Sequence, residues 1–344
     1  MDFLGFVIIC VKVLVVFSAT MLTVLMMVYA ERRVSAFMQG RLGPNRVGPQ
    51  GLLQPIADGI KFLMKEDIIP AEVNKPIYLL APAMLLIPAL MTFAVIPFGS
   101  TITLFGREVP LQVADLNVGI LYILALTSIG VYGLVLAGWA SNSKYSLIGG
   151  LRSSAQLISY ELAMGLSVVS VILLAGSLKL NVIVEDQQGY LLSWNVFKQP
   201  VAFLIFLVAV FAETNRLPFD LTEAEQELVG GYHTEYSSMK FAMFFTAEYA
   251  NMVTAAALTV TLFFGGWDVP LLNETSMGAL GAILSVLSFI LKTAFFLFLF
   301  IWVRWTFPRF RYDQLMKLGW KVMLPLALIN IFVTSGYLTL TSLR

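Results

Sequence analysis

Carboxylates and one lysine lie inside the most apolar stretches of this 344-residue chain. Glu161, Glu213 and Glu248 each stand within a long run of apolar residues, and Lys292 does so as well. A charge near the middle of a bilayer costs at least about 2.5 kcal/mol, so such groups usually have a function. Because partly shielded carboxylates and amines can accept and release protons, we predict that these four residues form a proton path. Ion pairs that only hold helices together are the alternative.

A second group of acids lies in the loop 217–239. Five acids occur there, and no Lys or Arg lies between Leu217 and Met239; the acids are Asp220, Glu223, Glu225, Glu227 and Glu235. Apolar residues are interleaved with these acids, which predicts a packed loop that docks a partner; a solvated acidic loop is the alternative. The single histidine, His233, is predicted to be a hydrogen-bonding loop residue and not a metal ligand.

The composition indicates the class of protein that must position these groups. Apolar residues make up 58% of the chain and charged residues only 12%, about half the usual share. One Cys and one His are too few for a haem, zinc or iron–sulfur site built from this chain alone, so no metal site is predicted. The net charge of +1 argues against nucleic acid as a partner. Since long apolar runs cross membranes as helices, we predict a helical membrane protein.

Eight apolar runs are each long enough to cross the hydrocarbon core of a bilayer. They cover residues 4–30, 76–97, 115–139, 155–178, 199–216, 240–265, 281–303 and 319–341. The whole chain, residues 1–344, is therefore predicted to be one all-α membrane domain, a polytopic bundle of about eight transmembrane helices.

Basic residues predict the orientation of this bundle. Lys and Arg concentrate in the loops after the first, third, fifth and seventh runs, whereas the other loops hold only Arg107, Lys179 and Lys198. The positive-inside rule places the basic loops in the cytoplasm and both termini outside. Three charges in the outer half or at the ends of spans are expected mainly to snorkel or anchor: Lys12, Glu31 and Arg304.

A short amphipathic helix is predicted over residues 52–65. It follows a basic, turn-rich segment (40–51) and carries one polar stripe formed by Gln54, Asp58, Lys61 and Lys65. The stretch is too short and too polar to span a membrane, so we predict that it lies in the interface plane. A packed surface helix of a cytoplasmic lobe is the alternative.

Five long segments carry ordered motifs. They are AERRVSAFMQGRLGPNRVGPQG (30–51), GLLQPIADGIKFLMKED (51–67), GWASNSKYSLIGGLRSSAQLISYELAMG (138–165), ETNRLPFDLTEAEQELVGGYHTEYSSMKF (213–241) and PRFRYDQLMKLGWKVMLPL (308–326). These segments resemble the H-subunit family of the proton-pumping NADH–quinone oxidoreductase, respiratory complex I. The similarity extends from the first apolar run to the last.

The resemblance implies a subunit without a redox centre in an enzyme that couples quinone reduction to proton translocation. The substrate would be a quinone, either ubiquinone or menaquinone, and FMN and iron–sulfur clusters would lie in partner subunits. The implied partners are the hydrophilic subunits B, D and I, the membrane subunits A, J and K, and the lipid bilayer. The implied location is the bacterial inner membrane with both termini periplasmic, and an organellar inner membrane is the alternative. NADH and ferredoxin both stay open as electron donors.

The resemblance also implies roles for individual residues. It assigns the quinone chamber to Glu31, Arg32, Arg33, Arg41, Arg46, Ala57, Asp58 and Phe62. It makes the acidic loop a sensor of quinone reduction, and it places Glu161, Glu213 and Glu248 on the charged path that leads away from the quinone. The homologous membrane subunit of an energy-converting hydrogenase or formate hydrogenlyase is the nearest alternative. A stand-alone ion transporter is the other.

Overall fold

The computed structural model describes residues 3–104, 107–221, 228–272 and 278–342. Within these ranges the chain is almost entirely helical, as predicted. The α-helices are α1 (Phe3–Met38), α2 (Gln54–Met64), α3 (Lys75–Met91), α4 (Gly119–Ala140), α5 (Lys144–Ala175), α6 (Leu180–Glu185), α7 (Asn195–Lys198), α8 (Pro200–Glu213), α9 (Ser238–Phe263), α10 (Ala279–Thr306), α11 (Tyr312–Lys317) and α12 (Leu324–Ser342). A π-helical stretch, Leu318–Met323, joins α11 to α12.

Six apolar helical segments in the described ranges are long enough to cross a membrane. They are Gly5–Met38, Lys75–Ala94, Gly119–Ala140, Lys144–Ala175, Ala279–Thr306 and Tyr312–Thr341. The predicted spans 199–216 and 240–265 coincide with α8 and α9. Helix α9 has 26 residues and is long enough to cross a membrane, but its polar side chains lower its mean hydropathy, so it is not among the six. Helix α8 has 14 residues, or about 21 Å, which is shorter than the hydrocarbon core. The chain is thus an all-α membrane bundle.

Helices α3, α4, α5, α8 and α9 form the buried centre of the bundle. Small residues allow close approach at two of its contacts. A Cβ at Gly133 would lie 3.1 Å from the Ala81 carbonyl oxygen, which brings α4 close to α3. A Cβ at Gly149 would lie 2.7 Å from the Tyr232 nitrogen, so no larger residue fits between α5 and the 3₁₀ turn at Gly231–His233. Close backbone contact of this kind is typical of membrane helices.

Two helices extend beyond the predicted spans. Helix α1 continues from residue 30 to Met38, and α5 begins at Lys144 instead of residue 155. The added turn-forming and polar residues in α5 include Ser146 and Ser153, which are fully buried. Hydropathy underestimated the length of these helices. Their added turns contain polar side chains that pack against other parts of the protein and not against lipid, so those turns do not appear as apolar runs.

A β-hairpin that the apolar pattern did not predict lies between α3 and α4. Strands β1 (Thr101–Leu104) and β2 (Arg107–Pro110) pair antiparallel, with Ile102 opposite Val109. The Ser100 nitrogen donates to Ser285 Oγ at 3.0 Å, which ties the hairpin to α10. Four-residue strands are too short to give a recognisable alternation in so apolar a chain.

The two ends of the bundle differ in charge. We call the end that carries Arg32, Lys240 and Arg304 the basic side, and the end that carries the hairpin the opposite side. Helix α2 lies on the basic side and corresponds to the predicted amphipathic helix. It begins two residues later and ends one residue earlier than the predicted range 52–65. Its residues Ile56 and Leu63 are 50% and 66% exposed, so an apolar face is turned away from the protein.

Candidate functional site

The first part of the predicted chamber is the turn at residues 41–51, which α1 holds in place. Arg33 Nη1 donates to the Gln50 carbonyl oxygen (2.7 Å) and to Tyr29 Oη (3.0 Å). Tyr29 Oη donates to the same carbonyl oxygen at 2.9 Å. Arg46 lies on the exposed surface of the turn. Arg33 therefore positions the turn, and Arg46 is available to a molecule outside the chain.

An ion pair joins α1 to α2. Arg32 Nη1 lies 2.5 Å from Asp58 Oδ2, and Gln54 Nε2 donates to Asp58 Oδ1 at 3.2 Å. Ala57, the neighbour of Asp58, is partly buried on α2. Asp58 thus sets the position of α2 relative to the charged end of α1, and the structure brings three predicted chamber residues together here.

Two hollows lie beside these contacts. The larger, about 480 Å³, lies between α1, the 41–51 turn and α10; Arg33, Phe37, Arg41, Leu42 and Phe298 line it. The smaller, about 270 Å³, lies beside α2 and the acidic loop; Phe62, Lys65, His233, Tyr236 and Phe241 line it. The larger hollow has mainly apolar walls with a few polar groups, which is the usual composition of a small-molecule site, whereas polar and aromatic side chains line the smaller one.

A group of charged and polar side chains, which we call the Arg216 cluster, lies between α1, α9 and α10, and all of its members except Arg304 are largely buried. It comprises Glu31, Arg216, Glu248, Tyr249 and Arg304. Arg216 lies 3.1 Å from Glu31 Oε1 through Nη1 and 2.8 Å from Glu248 Oε1 through Nε. Arg304 forms a second ion pair with Glu31. Tyr249 Oη donates to Glu31 Oε2 at 2.7 Å, and the Arg216 guanidinium lies 4.5 Å from the Tyr249 ring centre.

The Arg216 cluster corrects one expectation from the sequence. Glu31 and Arg304 were expected to anchor helix ends at the membrane surface. Instead the Glu31 side chain is only 9% exposed and contacts both Arg216 and Arg304. The physical reason is that α1 does not end at residue 30 but continues to Met38, so Glu31 faces the protein interior and needs compensating cations.

Three predicted proton-path residues meet in one small cavity, which we call the glutamate cavity. Glu161 of α5, Glu213 of α8 and Glu248 of α9 all line it. Its volume is about 30 Å³, enough for one water molecule. The Ser128 hydroxyl donates to Glu161 Oε1, and Asn251 also lines the cavity. An adjacent cavity of about 20 Å³ shares Glu213 and Asn251 with it.

Glu248 belongs to both groups of residues. Its Oε1 pairs with Arg216, while its side chain also lines the glutamate cavity. The buried polar groups are therefore contiguous from Glu31 through Arg216 and Glu248 to Glu161 and Glu213. Such an arrangement can transmit a change of charge at one end to protons held at the other, because charges interact strongly where water is scarce.

The structure does not bring Lys292 to the glutamate cavity. Its Nζ donates to the carbonyl oxygens of Phe264 (2.9 Å), Gly266 (3.1 Å) and Asp268 (2.6 Å), just beyond the end of α9. The Trp194 ring centre lies 4.6 Å away. Lys292 is 12 residues from Arg304 along α10, or roughly 18 Å of helix. It therefore lies far from the Arg216 cluster, towards the opposite side of the bundle.

The acidic loop is described only at its two ends. Glu223, Glu225 and Glu227 lie outside the described residues. Asp220 forms an ion pair with Arg309 at 2.8 Å, and the Tyr78 hydroxyl donates to the Glu235 carbonyl oxygen at 2.7 Å.

Aromatic stacking fixes the second of these ends. The Tyr236 ring stacks on Tyr78 with centres 4.1 Å apart, and burial raises the pKa of the Tyr236 phenol. His233 packs edge-on against Tyr232 and Phe241. Both described ends are therefore packed against the bundle. In the described part of the chain, no cluster of three or more His, Cys, Asp or Glu side chains could hold a metal ion.

Sequence reasoning missed three residues that organise the site. Arg216 and Tyr249 complete the Arg216 cluster. Gln156 Nε2 donates to the carbonyl oxygens of Ala212 (2.7 Å) and Phe219 (2.9 Å), which ties the start of the acidic loop to α5. Arg216 could have been found, since it follows Glu213 by three residues next to an apolar run. Tyr249 and Gln156 give no such signal.

Comparison with known proteins agrees with the motifs. The family described as "NADH dehydrogenase" matches residues 11–335. A Geobacter sulfurreducens protein, named as an H-type subunit of NADH-quinone oxidoreductase, is 56% identical over 342 residues, covering 96% of this chain and 95% of the relative. A Rhodothermus marinus protein, "NADH-quinone oxidoreductase subunit 8", is 58% identical and covers 92% and 93%, respectively. A Salinibacter ruber protein, again named as an H-type subunit of this enzyme, is 57% identical and covers 92% and 91%.

A match over nearly the whole chain, at more than half of all positions, confirms the resemblance that the motifs indicated. The chain belongs to the NADH dehydrogenase family of membrane proteins, together with relatives named as H-type subunits of NADH-quinone oxidoreductase.

Proposed function

We propose that this chain is the membrane subunit that forms the quinone-access chamber of a proton-translocating NADH–quinone oxidoreductase. In this assignment it carries no redox centre and supplies the coupling between quinone reduction and proton movement. The observation that carries the proposal is the contiguity of the Arg216 cluster with the glutamate cavity. Three carboxylates from three helices meet in that cavity and connect, through Arg216, to the charged end of α1.

The chamber would lie on the basic side. Arg32, Asp58 and Phe62 are placed around α2, while Arg33 and Arg41 line the hollow beside the 41–51 turn. The exposed apolar face of α2 suits contact with lipid, from which a quinone with an apolar tail would enter. A ring with two carbonyl oxygens needs few donors in an otherwise apolar passage.

The coupling step follows from electrostatics. Reducing a quinone to a quinol takes up two electrons and two protons. The negative charge that the electrons bring, before the protons follow, changes the electrostatic potential near the chamber. A change of charge at Glu31 alters how strongly Arg216 stabilises the ionised form of Glu248. Because Glu248 shares its cavity with Glu161 and Glu213, a proton can then be redistributed among the three carboxyls. In this scheme Asp220, held by Arg309, and Glu235 anchor the loop that senses the change.

The proposal includes location and partners. The basic side would face the cytoplasm of a bacterial inner membrane, because loops rich in Lys and Arg remain there. Hydrophilic subunits B, D and I would cover the basic side and provide the site of electron transfer, with FMN and iron–sulfur clusters in partner subunits. Membrane subunits A, J and K would continue the proton path.

Isosteric variants of the cavity carboxylates test the proposal in the assembled enzyme. We expect Glu161→Gln and Glu248→Gln to lower quinone-linked NADH oxidation and proton pumping about tenfold or more, because each removes a proton carrier. NADH oxidation with ferricyanide, which bypasses the quinone, is expected to persist. Both activities are measured on membranes that contain equal amounts of total protein.

Lys61→Gln on the exposed face of α2 is the matched control, since it removes a charge that lies outside the cavity. Equal loss of ferricyanide activity in the Glu variants would show that these residues serve assembly only. The alternative function, the homologous subunit of an energy-converting hydrogenase, is not favoured by the names of the relatives. A complex that evolves hydrogen, and in which a crosslinking quinone leaves this chain unlabelled, would favour that alternative.

A further inference from the structure

An apolar crevice on the opposite side of the bundle separates the outer half of α1 from α3. Its volume is about 290 Å³, and its walls include Val13, Val16 and Thr20 of α1 and Ile87, Leu90 and Met91 of α3. The Thr20 hydroxyl donates to the Val16 carbonyl oxygen of its own helix at 2.9 Å. The crevice surface is therefore apolar throughout these residues, and water has little to bind there.

Lys12 lies just outside the residues that line this crevice, towards the start of α1. It is one helical turn from Val16, so the two side chains share a face of α1. Lys12 Nζ donates to the Gln112 carbonyl oxygen at 3.1 Å. The buried Gln112 side chain is itself held by Asn181 Nδ2 at 2.6 Å. An ammonium group has three donors, and this carbonyl takes one of them within the described contacts, so Lys12 can bind a further acceptor.

The depth of Lys12 matches the boundary between lipid headgroups and hydrocarbon. Lys12 and Arg32 are about 20 residues apart on one helix, or roughly 30 Å, which equals the thickness of the hydrocarbon core. With Arg32 at the basic-side surface, Lys12 lies at the surface of the other leaflet. The crevice runs inward from that point to Thr20, roughly 12 Å deeper.

We propose that a phospholipid of that leaflet occupies the crevice as a bound ligand, with one acyl chain between α1 and α3 and its phosphate on the Lys12 ammonium. An apolar crevice inside a bilayer excludes water, so a hydrocarbon chain is its natural filling. Val13 and Phe17 are 49% and 52% exposed, so the crevice opens sideways towards lipid. Lys12 supplies the charge that is complementary to a phosphodiester.

A photoreactive lipid tests this site in the intact enzyme. The assembled complex is placed in nanodiscs that contain phosphatidylglycerol with a diazirine in one acyl chain, and labelled peptides are identified by mass spectrometry. We expect labelling to concentrate on residues 13–20 and 87–94. Lys12→Met is expected to reduce it about tenfold, the effect of about 1.4 kcal/mol of lost attraction. Lys12→Arg is expected to keep it, and millimolar inorganic phosphate is expected not to compete.

Two further variants make the test decisive. Ile87→Trp fills the crevice from its α3 wall, away from Lys12, and is expected to abolish labelling there. Lys179→Met, which removes another opposite-side lysine that pairs with Asp115, is expected to leave labelling unchanged. Labelling that is equal in the Lys12→Met and unaltered proteins would overturn the proposal. Capture of a partner subunit's helix, in place of lipid, by a photocrosslinker at Val16 would also overturn the proposal. The amount of this chain in each purified complex, measured by mass spectrometry, confirms that each variant assembles.

Discussion

Arg216 is the residue on which the buried charges of this protein depend. Its guanidinium contacts Glu31, Glu248 and the ring of Tyr249, and its side chain is only 7% exposed. Arginine suits this position because its planar group offers donors in several directions and does not lose its proton. A lysine ammonium could not contact two carboxylates and an aromatic face in the same geometry.

Removing the Arg216 charge is expected to destabilise the bundle. In Arg216→Met, Glu248 loses the cation at its Oε1 and Glu31 retains Arg304. Breaking a buried ion pair costs about 3–5 kcal/mol. We therefore expect little assembled complex and a lower unfolding temperature, measured on purified membranes. The double variant Arg216→Met with Glu248→Gln is expected to recover part of the loss, because the carboxylate that lost its contact with Arg216 is replaced by a neutral amide. Assembly of Arg216→Met at the normal level and temperature would contradict this role.

Asp268 gives a prediction for the dependence of stability on pH. Burial raises the pKa of this carboxyl above its ordinary value of 3.8, against the opposing effects of Trp194 and Lys292. Just above pH 3.8 the folded protein keeps a proton that the unfolded chain has released. Stability therefore falls as the pH rises from 3.8 through the folded pKa, and the contribution of Asp268 is lost above that pKa.

The Asp268→Asn variant tests this dependence. We expect it to remove the part of the fall in unfolding temperature above pH 3.8 that Asp268 causes, because the amide does not titrate. Asp115→Asn, at the same side of the bundle, serves as the control. An identical curve for Asp268→Asn and the unaltered protein would show that Asp268 does not contribute.

At the scale of elements, Lys292 shows how α10 fixes the end of α9. Three carbonyl oxygens beyond α9 accept from one ammonium group, which satisfies orphan acceptors at the helix terminus. The same contacts use all three donors of the lysine. This geometry favours a structural role, although the sequence predicted a place on the proton path.

The two roles of Lys292 predict different outcomes for Lys292→Met. If it caps α9, the variant loses charge-assisted hydrogen bonds of about 1.5–3 kcal/mol each in a buried setting, and the heat stability of the complex falls. Proton translocation per quinone reduced is then expected to remain normal in the complex that assembles. Normal heat stability together with lost translocation would instead support a relay role. Lys292→Arg, which keeps the charge, is the matched control.

At the scale of the whole molecule, the distribution of basic loops predicts orientation. We expect an impermeant maleimide to label Leu192→Cys, and not Lys144→Cys, in intact cells whose outer membrane has been permeabilised. Both positions are exposed and lie at opposite ends of the bundle. The native Cys10 is exposed and is first replaced by Ser. The reverse labelling pattern would invert the proposed topology and place the chamber on the wrong side for the hydrophilic partners.

Much of the fold was predictable because hydropathy and helical periodicity are local properties. The apolar runs located the long helices, and the polar stripe located α2 to within two residues. The errors have local causes as well. Helices α1 and α5 are longer than the apolar runs because their extra turns contain polar residues that pack against protein. The short hairpin gave no distinct pattern because its neighbours in the sequence are also apolar.

The sequence by itself determined that this is an all-α membrane protein of the NADH dehydrogenase family, with glutamates placed where charges are costly. Only the tertiary structure decided which of these groups meet. Arg216 reaches Glu31 across 185 residues of chain, and Lys292 turns to backbone carbonyls rather than to the glutamate cavity. The reason is physical: spacing along one helix sets depth and face, whereas the packing of separate helices selects the partner of each buried charge.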